Sequence, residues 1–234
     1  MSDTSEASFH SYFDLVPAND AELRAAAYRI RYKVYCQELG FESPGNFPEG
    51  MEKDEYDNFS EHYIIQHRKT GVYAATTRLI LPSSKPFPVE LHARIERHEL
   101  LAGVPRQQIG EVSRFCIDRV FRRRKGEEGL VAGVGSDLQL YLASSDNERR
   151  TYPHFTIALI VCLLRMSEAH GITHWYAFIE STFVRLLKAI GINFIPIGPL
   201  VEYHGFRYPC AIQVADLLAG VKQTAPGVYD FLTH

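Results

Sequence analysis

Carboxylate side chains are concentrated in one short stretch of the sequence, residues 52–61. This stretch contains Glu52, Asp54, Glu55, Asp57 and Glu61. Five negative charges this close together repel one another unless cations approach them. Carboxylates held near cations can act as general bases, so the stretch is a candidate site. The alternative interpretation is a solvated acidic loop without a chemical role.

Three arginines elsewhere are candidate partners for these carboxylates. Arg78 and Arg114 each lie inside an apolar, strand-like run, and Arg31 borders the apolar stripe of the first predicted helix. A buried cation is tolerated only when it is paired and hydrogen-bonded. We therefore expect these arginines, the acidic loop and Glu111 to form a charge network at one end of a sheet. A network with a purely structural role is the alternative.

The spacing between Glu111 and Arg114 predicts an irregularity in their strand. Residues three apart in a regular strand point to opposite faces of the sheet. A β-bulge between them would bring both side chains to one face and would free a backbone N–H. Such an N–H can polarise a carbonyl group.

The elements that position these residues are predicted from periodicity and turn residues. Asn19 and Glu22 are typical of a capping box, and apolar residues at helical spacing then predict a helix over residues 20–39. The other predicted elements are a hairpin (62–67 and 72–81), a short helix (94–102), strands (109–118, 173–179, 193–197, 207–212) and helices (153–170, 181–190, 214–222). Residues 121–150 are predicted to be a long loop with a short helical piece. The order indicates an α/β fold in which a mixed central sheet has helices on both faces.

Composition restricts the class of protein. The 234 residues carry a formal net charge of -3, which argues against a general nucleic-acid binder. The four cysteines are scattered, and the ten histidines show no metal-ligand spacing, so reduced thiols and no metal site are expected. We expect a flexible N-terminal tail over residues 1–18, a single domain over residues 19–234, no membrane span and a cytoplasmic location.

Taken in order, the charged motifs resemble those of acyl-homoserine-lactone synthases and the related N-acyl amino acid synthases. The motifs are Arg31-x-x-x-Tyr35, Glu52-x-Asp54-x-x-Asp57, Arg78-Leu79 and Glu111-x-x-Arg114-Phe115. Both families belong to the GNAT acyltransferase superfamily. The resemblance is strongest to acyltransferases associated with the PEP-CTERM/exosortase system, in residues 31–41, 61–63 and 195–205. It covers about residues 25–215.

The resemblance implies a GNAT-like fold in which an acyl thioester lies in a V-shaped gap between two parallel strands, here residues 109–118 and 173–179. An amine attacks the thioester directly, without an acyl-enzyme. By position, the polar cluster that shapes the acceptor site comprises Arg31, Glu52, Asp54, Asp57, Arg78, Glu111 and Arg114. Glu52 or Glu111, or a water between them, would be the general base.

Two further groups of residues are assigned to substrates. Arg122, Arg123, Arg124 and Arg150 flank the long loop, near the predicted start of a helix where the resemblance puts the donor's phosphates. A solvated basic loop is the alternative. Phe115 and Trp175 are expected to contact substrate, although for Trp175 ordinary core packing remains the alternative.

The sequence thus predicts an N-acyltransferase that moves a fatty acyl group from an acyl carrier protein or CoA thioester to a small amine, most simply an amino acid. No tightly bound cofactor is expected. An acyl-homoserine-lactone (autoinducer) synthase is the first alternative, but Phe41 stands where those enzymes usually have Trp. The second alternative is a non-catalytic module that binds acyl carriers or senses lipids.

Overall fold

The apolar runs of the sequence become the strands of one mixed β-sheet. A computed structural model describes residues 5–122 and 155–233. The strands are β1 (Phe13–Pro17), β2 (Ser60–His67), β3 (Tyr73–Ile80), β4 (Ile109–Ile117), β5 (His174–Ile179), β6 (Ile195–Pro196), β7 (Val201–Glu202) and β8 (Phe206–Gln213). Their spatial order is β1-β2-β3-β4-β5-β8-β6, and β7 pairs with β8 beside this path. β4 and β5 are parallel, whereas the other pairs are antiparallel.

Helices fill most of the connections between the strands. They are α1 (Ser5–Tyr12), α2 (Ala21–Arg31), α3 (Pro88–His92), α4 (Arg119–Arg122), α5 (Phe155–His170), α6 (Ser181–Ala189), α7 (Val214–Thr224) and α8 (Pro226–Thr233). Short 3₁₀ helices form at Pro44–Asn46, Glu55–Phe59, His98–Leu101 and Arg106–Gln108. Among the residues described, no helix combines the length and apolar character needed to cross a bilayer.

The helices cover both faces of the sheet, as predicted. Ile64 and Ile65 are neighbours on β2, so their side chains point to opposite faces. Ile64 packs in a cluster with the α2 residues Ala27 and Ile30, whereas Ile65 packs in the main core with residues of α5. We call these the α2 face and the α5 face of the sheet.

Several element boundaries differ from the sequence predictions. The N-cap of α2 is Asp20, whose side chain accepts from the Leu23 N–H at 2.8 Å, so the predicted Asn19 capping box is wrong. The predicted long first helix changes to a π-helical segment at Tyr32–Glu38. Within residues 94–102, where the sequence predicts a short helix, the structure has the 3₁₀ helix His98–Leu101. Most of the long loop predicted at 121–150 lies outside the described residues.

The N-terminal segment is not the free tail that the sequence predicted. Residues 5–17 form α1 and β1, and β1 pairs antiparallel with β2. Phe9 and Phe13 are buried, and their rings stack with centroids 5.0 Å apart. These few apolar side chains anchor the segment in the core, although its overall composition is polar. That residues 19–234 form one domain stays a prediction.

β4 contains the bulge that the Glu111–Arg114 spacing predicted. On β3, Thr76 pairs with Cys116 and Arg78 pairs with Ser113, so the single residue between Thr76 and Arg78 faces two residues of β4. One of these two is Arg114, whose φ of 48° lies in the left-handed region. The extra residue moves the Arg114 side chain to the α2 face, where Glu111 also points.

Two glycines bring the ends of α6 and α7 into direct contact. A Cβ at Gly191, whose φ is +90°, would lie 2.2 Å from the Gly220 carbonyl oxygen, and a Cβ at Gly220 would lie 2.2 Å from the Gly191 oxygen. No side chain fits between the two backbones. The contact sets the distance between two elements whose apolar side chains pack in the main core.

We predict that Gly220→Ala destabilises the protein although it replaces glycine in a helix. The added methyl must push α7 away from Gly191, which costs about 1–3 kcal/mol and exceeds the gain of about 1 kcal/mol in helix propensity. The matched control is Gly227→Ala in α8, because a Cβ there meets open space. Urea unfolding measures both variants, and an unchanged midpoint for Gly220→Ala would contradict the prediction.

Candidate active site

Three arginines and three carboxylates form a closed ring of alternating charges on the α2 face. Each arginine contacts two of the carboxylates and each carboxylate contacts two of the arginines. In order around the ring, the residues are Arg31, Glu52, Arg114, Asp54, Arg78 and Asp57, and Asp57 returns to Arg31. We call this set the charge ring; it is the network that the sequence predicted, except that Glu111 is not a member.

The contacts in the charge ring are short and mostly buried. The Nε of Arg31 donates to Glu52 Oε2 at 2.6 Å, and its Nη1 and Nη2 donate to the two oxygens of Asp57 at 2.6 and 3.0 Å. Arg114 Nη2 donates to Glu52 Oε1 at 3.0 Å and to Asp54 Oδ2 at 2.9 Å. Arg31 is completely buried, and fork-shaped guanidinium groups suit such paired carboxylate contacts.

Local structure brings the three carboxylates together. The Glu52 N–H donates to the carbonyl oxygen of Tyr28 at 3.1 Å, which ties the loop to α2. Asp54 is the N-cap of the 3₁₀ helix Glu55–Phe59 and forms a capping box with Asp57. Two of the three carboxylates are therefore oriented by their own backbone before any arginine reaches them.

The arginines hold these carboxylates in their charged form. Burial by itself would raise the pKa of Glu52, but the charges of Arg31 and Arg114 outweigh burial and lower that pKa to about 2. The pKa of Asp57 is also lowered, because Arg31 and Arg78 outweigh the effect of its burial. A carboxylate with so low a pKa has little affinity for a proton, so Glu52 is a poor general base. That Glu52 is the general base stays a prediction, against which its lowered pKa weighs.

A buried histidine beside the charge ring stays neutral. His62 is 1% exposed, and its Nε2 lies 3.5 Å from Asp57 Oδ1, too far for a good hydrogen bond. Burial and the charge of Arg31 lower the pKa of His62 to about 3. The ring therefore keeps three positive and three negative charges near neutral pH.

Glu111 differs from the ring carboxylates because, among the residues that the structure describes, it has no arginine partner. It is 2% exposed, and its Oε2 accepts one hydrogen bond, from the Val89 N–H at 2.9 Å. Burial raises the pKa of Glu111 to about 8, although the Val89 hydrogen bond and the charge of Arg78 oppose that rise. A carboxyl group with a pKa in this range can take up and release a proton near neutral pH.

A cavity of about 300 Å³ passes through the sheet where β4 and β5 separate. The two strands pair only as far as Val112 and Ala177. Beyond this point Ser113 and Phe115 line the cavity from β4, and Ala177 and Phe178 line it from β5. Consecutive strand residues point to opposite faces, so the cavity opens toward both faces of the sheet. This is the V-shaped gap that the sequence predicted.

The two ends of the cavity differ in polarity. On the α2 face its lining includes Glu111, Arg78, Arg114, Tyr203 and His204. On the α5 face its lining is apolar and includes Ile160, Leu163, Leu187, Ile192, Phe194 and Leu217. A ligand with a polar reacting group and an apolar tail fits such a passage.

The predicted aromatic contacts lie in the wall of the cavity. Phe115 lines the gap with its ring centroid 5.9 Å from that of Phe183. Trp175 is 1% exposed, lines the cavity and donates from Nε1 to Ser167 Oγ at 2.8 Å. A residue in this wall both packs in the core and faces the cavity, so the two interpretations of Trp175 are compatible.

Most of the basic residues assigned to the donor lie outside the described residues. Arg122 ends α4, and Arg123, Arg124 and Arg150 lie outside the described residues.

Sequence reasoning missed three cavity residues that follow one another closely, Tyr203, His204 and Arg207. The quoted segment 195–205 included the first two, but no charge partner in the sequence drew attention to Arg207.

Comparison with known proteins agrees with this architecture. Residues 30–132 match the model of the acetyltransferase (GNAT) domain. The fold also resembles the crystal structure of TofI in a ternary complex with an inhibitor and MTA, with a TM-score of 0.58 and 18% identity over 93% of this chain and 99% of that chain. FeeM, an N-acyl amino acid synthase from uncultured soil microbes, matches with a TM-score of 0.57 and 15% identity over 91% of this chain and 96% of that one. The fold is GNAT-like.

Two proteins with known names are similar in sequence to parts of this chain, and both are acyl-homoserine-lactone synthases. The acyl-homoserine-lactone synthase of Vibrio anguillarum is 32% identical over 111 residues, which are 46% of this chain and 52% of that protein. The corresponding synthase of Agrobacterium fabrum (strain C58 / ATCC 33970) is 27% identical over 166 residues, 70% of this chain and 65% of that protein. The matched regions thus span about half to two thirds of these relatives, and over those regions the chain is related to acyl-homoserine-lactone synthases.

We predict that Glu52→Gln lowers stability strongly at neutral pH. The substitution keeps the shape of the side chain but leaves Arg31 and Arg114 each without one carboxylate, which costs about 3–5 kcal/mol for a buried pair. Urea unfolding at pH 7 measures the loss. The matched control is Glu55→Gln in the same loop, because Glu55 is exposed and forms an exposed ion pair with Lys85; that loss should stay below about 1 kcal/mol.

The same variant should show a defined pH dependence. Glu52 has a pKa lowered from 4.5 to about 2, so its contribution to stability is present above the unfolded value and is lost as pH falls toward the folded value. The difference in stability between the parent and Glu52→Gln should therefore stay constant from pH 7 to about pH 5 and shrink as the pH falls from about 4.5 toward 2. A difference that is independent of pH would contradict the assigned charge state.

Proposed function

We propose that this chain is an N-acyltransferase that moves a fatty acyl group from an acyl carrier protein or CoA thioester to a small amine, an amino acid. The observation that carries the proposal is the position of Glu111. Its buried carboxyl group, with a pKa raised to about 8, lies at the polar end of a cavity whose other end is apolar. This arrangement joins a proton acceptor to a space that suits a hydrocarbon tail.

The donor thioester fits the gap between β4 and β5. Its acyl chain would extend along the apolar lining of the α5 face, where burial of each methylene contributes about 0.8 kcal/mol. Its carbonyl group would lie at the opening of the gap, beside the bulge at Arg114. The polar end of the cavity on the α2 face then remains for the acceptor.

The reaction needs one proton acceptor and no covalent enzyme intermediate. The amine nitrogen of the acceptor attacks the thioester carbonyl carbon, the carbon–sulfur bond breaks, and the carrier leaves as a thiolate that finally receives the proton released by the amine. Glu111, directly or through one water, takes the proton that the amine loses. Glu52 cannot share this role effectively, because its pKa is about 2.

In this proposal the charge ring positions the site rather than taking part in the chemistry. Arg114 sits in the bulge of β4 and is held by Glu52 and Asp54, so the loop and the strand keep one relative position. Arg78 joins the same loop to β3 and also donates from Nε to Ser113 Oγ at 2.9 Å. These contacts hold the wall of the gap that faces the acceptor.

Four arginines are proposed to attract the acyl donor. Arg122, Arg123, Arg124 and Arg150 would attract the phosphates of CoA or the acidic surface of a carrier protein during encounter. BjaI, a CoA-dependent acyl-homoserine lactone synthase whose structure contains SAM and isopentyl-CoA, has a fold similar to this chain with a TM-score of 0.58 and 17% identity over 94% of this chain. That neighbour makes a CoA thioester a reasonable first donor to test.

An acyl-homoserine-lactone synthase is the second candidate function. It is favoured by the two curated relatives, which both carry that name. Phe41 is the residue that weighs against it, since the lactone synthases resembled by this sequence usually have Trp there. A non-catalytic acyl-binding module is disfavoured because binding alone gives no reason to bury Glu111 without a charged partner.

Two finer assignments also belong to the proposal. The association with a PEP-CTERM/exosortase system is supported by the three motifs at residues 31–41, 61–63 and 195–205. A cytoplasmic location is supported by the four cysteines, which are buried and unbridged.

Mass spectrometry of lipid extracts from cells that express the chain tests the class of reaction. We expect N-acyl amino acids that are absent from cells carrying the Glu111→Gln variant. Acyl-homoserine lactones in the extract would instead support the second candidate. No new acylated amine would contradict both catalytic proposals.

We predict that Glu111→Gln slows acyl transfer about 10² to 10⁴-fold, as expected for loss of a general base. Gln resembles the neutral carboxyl group that the raised pKa favours, so folding should be preserved. In the parent, kcat/KM should increase with pH up to about 8, and this increase should be absent in the variant. The matched control is the exposed Glu96→Gln. Activity within a few-fold of the parent would exclude Glu111 as the base.

A further inference from the structure

Arg207 is a cavity-lining arginine without a good acceptor for its protons. It lies on β8, and its Nε is buried and has no hydrogen-bond partner within the part of the chain that the structure describes. Its Nη2 lies 3.6 Å from Glu180 Oε1, beyond hydrogen-bond distance, and the Glu180 side chain is 54% exposed. A buried donor left unpaired is unfavourable, so Arg207 is suited to a ligand that supplies an acceptor.

The other arginines of the site are already occupied. Arg78 and Arg114 also line the cavity, but each donates to two carboxylates of the charge ring. An incoming anion would have to displace one of those carboxylates. Arg207 has less such competition, since the one carboxylate found within 4 Å of it among the described residues is that of exposed Glu180.

Aromatic rings connect Arg207 to the reacting end of the cavity. The Cζ of Arg207 lies 5.5 Å from the centre of the Phe41 ring, and Phe41 stacks on Tyr35 with centroids 6.3 Å apart. On the far side, Arg114 Cζ lies 5.6 Å from the centre of the Tyr35 ring. These contacts place the guanidinium of Arg207 over the Phe41 ring, and its Nε has no hydrogen-bond partner among the described residues.

The charges around the cavity suit a zwitterion. Glu111 and Glu42 line the same cavity as Arg207, and Glu42 Oε1 lies 3.6 Å from His204 Nδ1. An ammonium or amine group is compatible with these carboxyl groups, and a carboxylate is compatible with Arg207. A phosphate with two negative charges would meet the same carboxyl groups unfavourably.

We propose that Arg207 binds the carboxylate of the amino-acid acceptor and so orients its amine toward Glu111. The carboxylate would accept from Nε and Nη2 of the guanidinium edge, a bidentate geometry that lysine cannot reproduce. This inference rests on the proposed N-acyltransferase function and adds to it the group that selects amino acids over simple amines.

The test compares each acceptor with its own carboxamide. The parent, Arg207→Met and Arg207→Lys are assayed with an acyl-CoA, the proteinogenic L-amino acids and the primary carboxamides of the best acceptors. We expect Arg207→Met to raise the KM for the amino acid about 10-fold or more, as for a lost hydrogen bond to a charged group. The KM for the carboxamide and for acyl-CoA should not change, and Arg207→Lys should restore part of the loss.

The matched control is Arg185→Met, because Arg185 is an exposed arginine of α6 and is not among the residues that line the cavity. Thermal unfolding of all variants separates loss of fold from loss of binding. The inference is overturned if the parent prefers the carboxamide, if both acceptors lose affinity equally, or if the KM for acyl-CoA increases instead. A parent that acylates no amine with either an acyl-CoA or an acyl carrier protein thioester would overturn the proposed function, and this inference with it.

Discussion

The closed charge ring is the constraint on which the rest of the site depends. Six charged groups, four of them buried, can be held together only because each one has two partners of opposite sign, so no charge remains uncompensated. The ring joins the end of α2, the loop after it, β3 and the bulge of β4 through side chains alone. Loss of one member leaves two partners each without one of their opposite charges. Substitutions in this cluster should therefore cost far more stability than substitutions in isolated surface ion pairs.

The same ring divides the acidic residues into two chemical classes. Carboxylates inside it have lowered pKa values and stay charged, so they hold structure and do not exchange protons near neutral pH. Glu111 lies close to the ring but pairs with no arginine of the described residues, and burial therefore raises its pKa to about 8. Two carboxyl groups in neighbouring positions acquire different properties from environment alone, and only the one outside the ring suits proton transfer.

The separation of β4 from β5 creates the cavity in which acyl transfer would take place. A parallel pair that continued beyond Val112 and Ala177 would close the sheet and separate the two faces. The bulge in β4 turns Arg114 into the charge ring while Phe115 keeps its place in the wall of the cavity. One irregularity thus serves both the polar cluster and the apolar passage, and Arg207 closes the edge of that passage from β8.

The sequence by itself determined the local features. Apolar periodicity predicted most helices and strands, the spacing of Glu111 and Arg114 predicted the bulge, and arginines in apolar runs predicted a buried charge network, because unpaired buried charge is unfavourable in any fold. The N-terminal strand was missed because its partner lies about fifty residues away, and pairing over that distance leaves no local signal. Only the tertiary structure decided which carboxylate is saturated by arginines and which is not, since the pKa of Glu52 and of Glu111 depends on groups far apart in the chain. For the same reason Arg207 could be recognised only once the fold had placed it at the cavity without an acceptor.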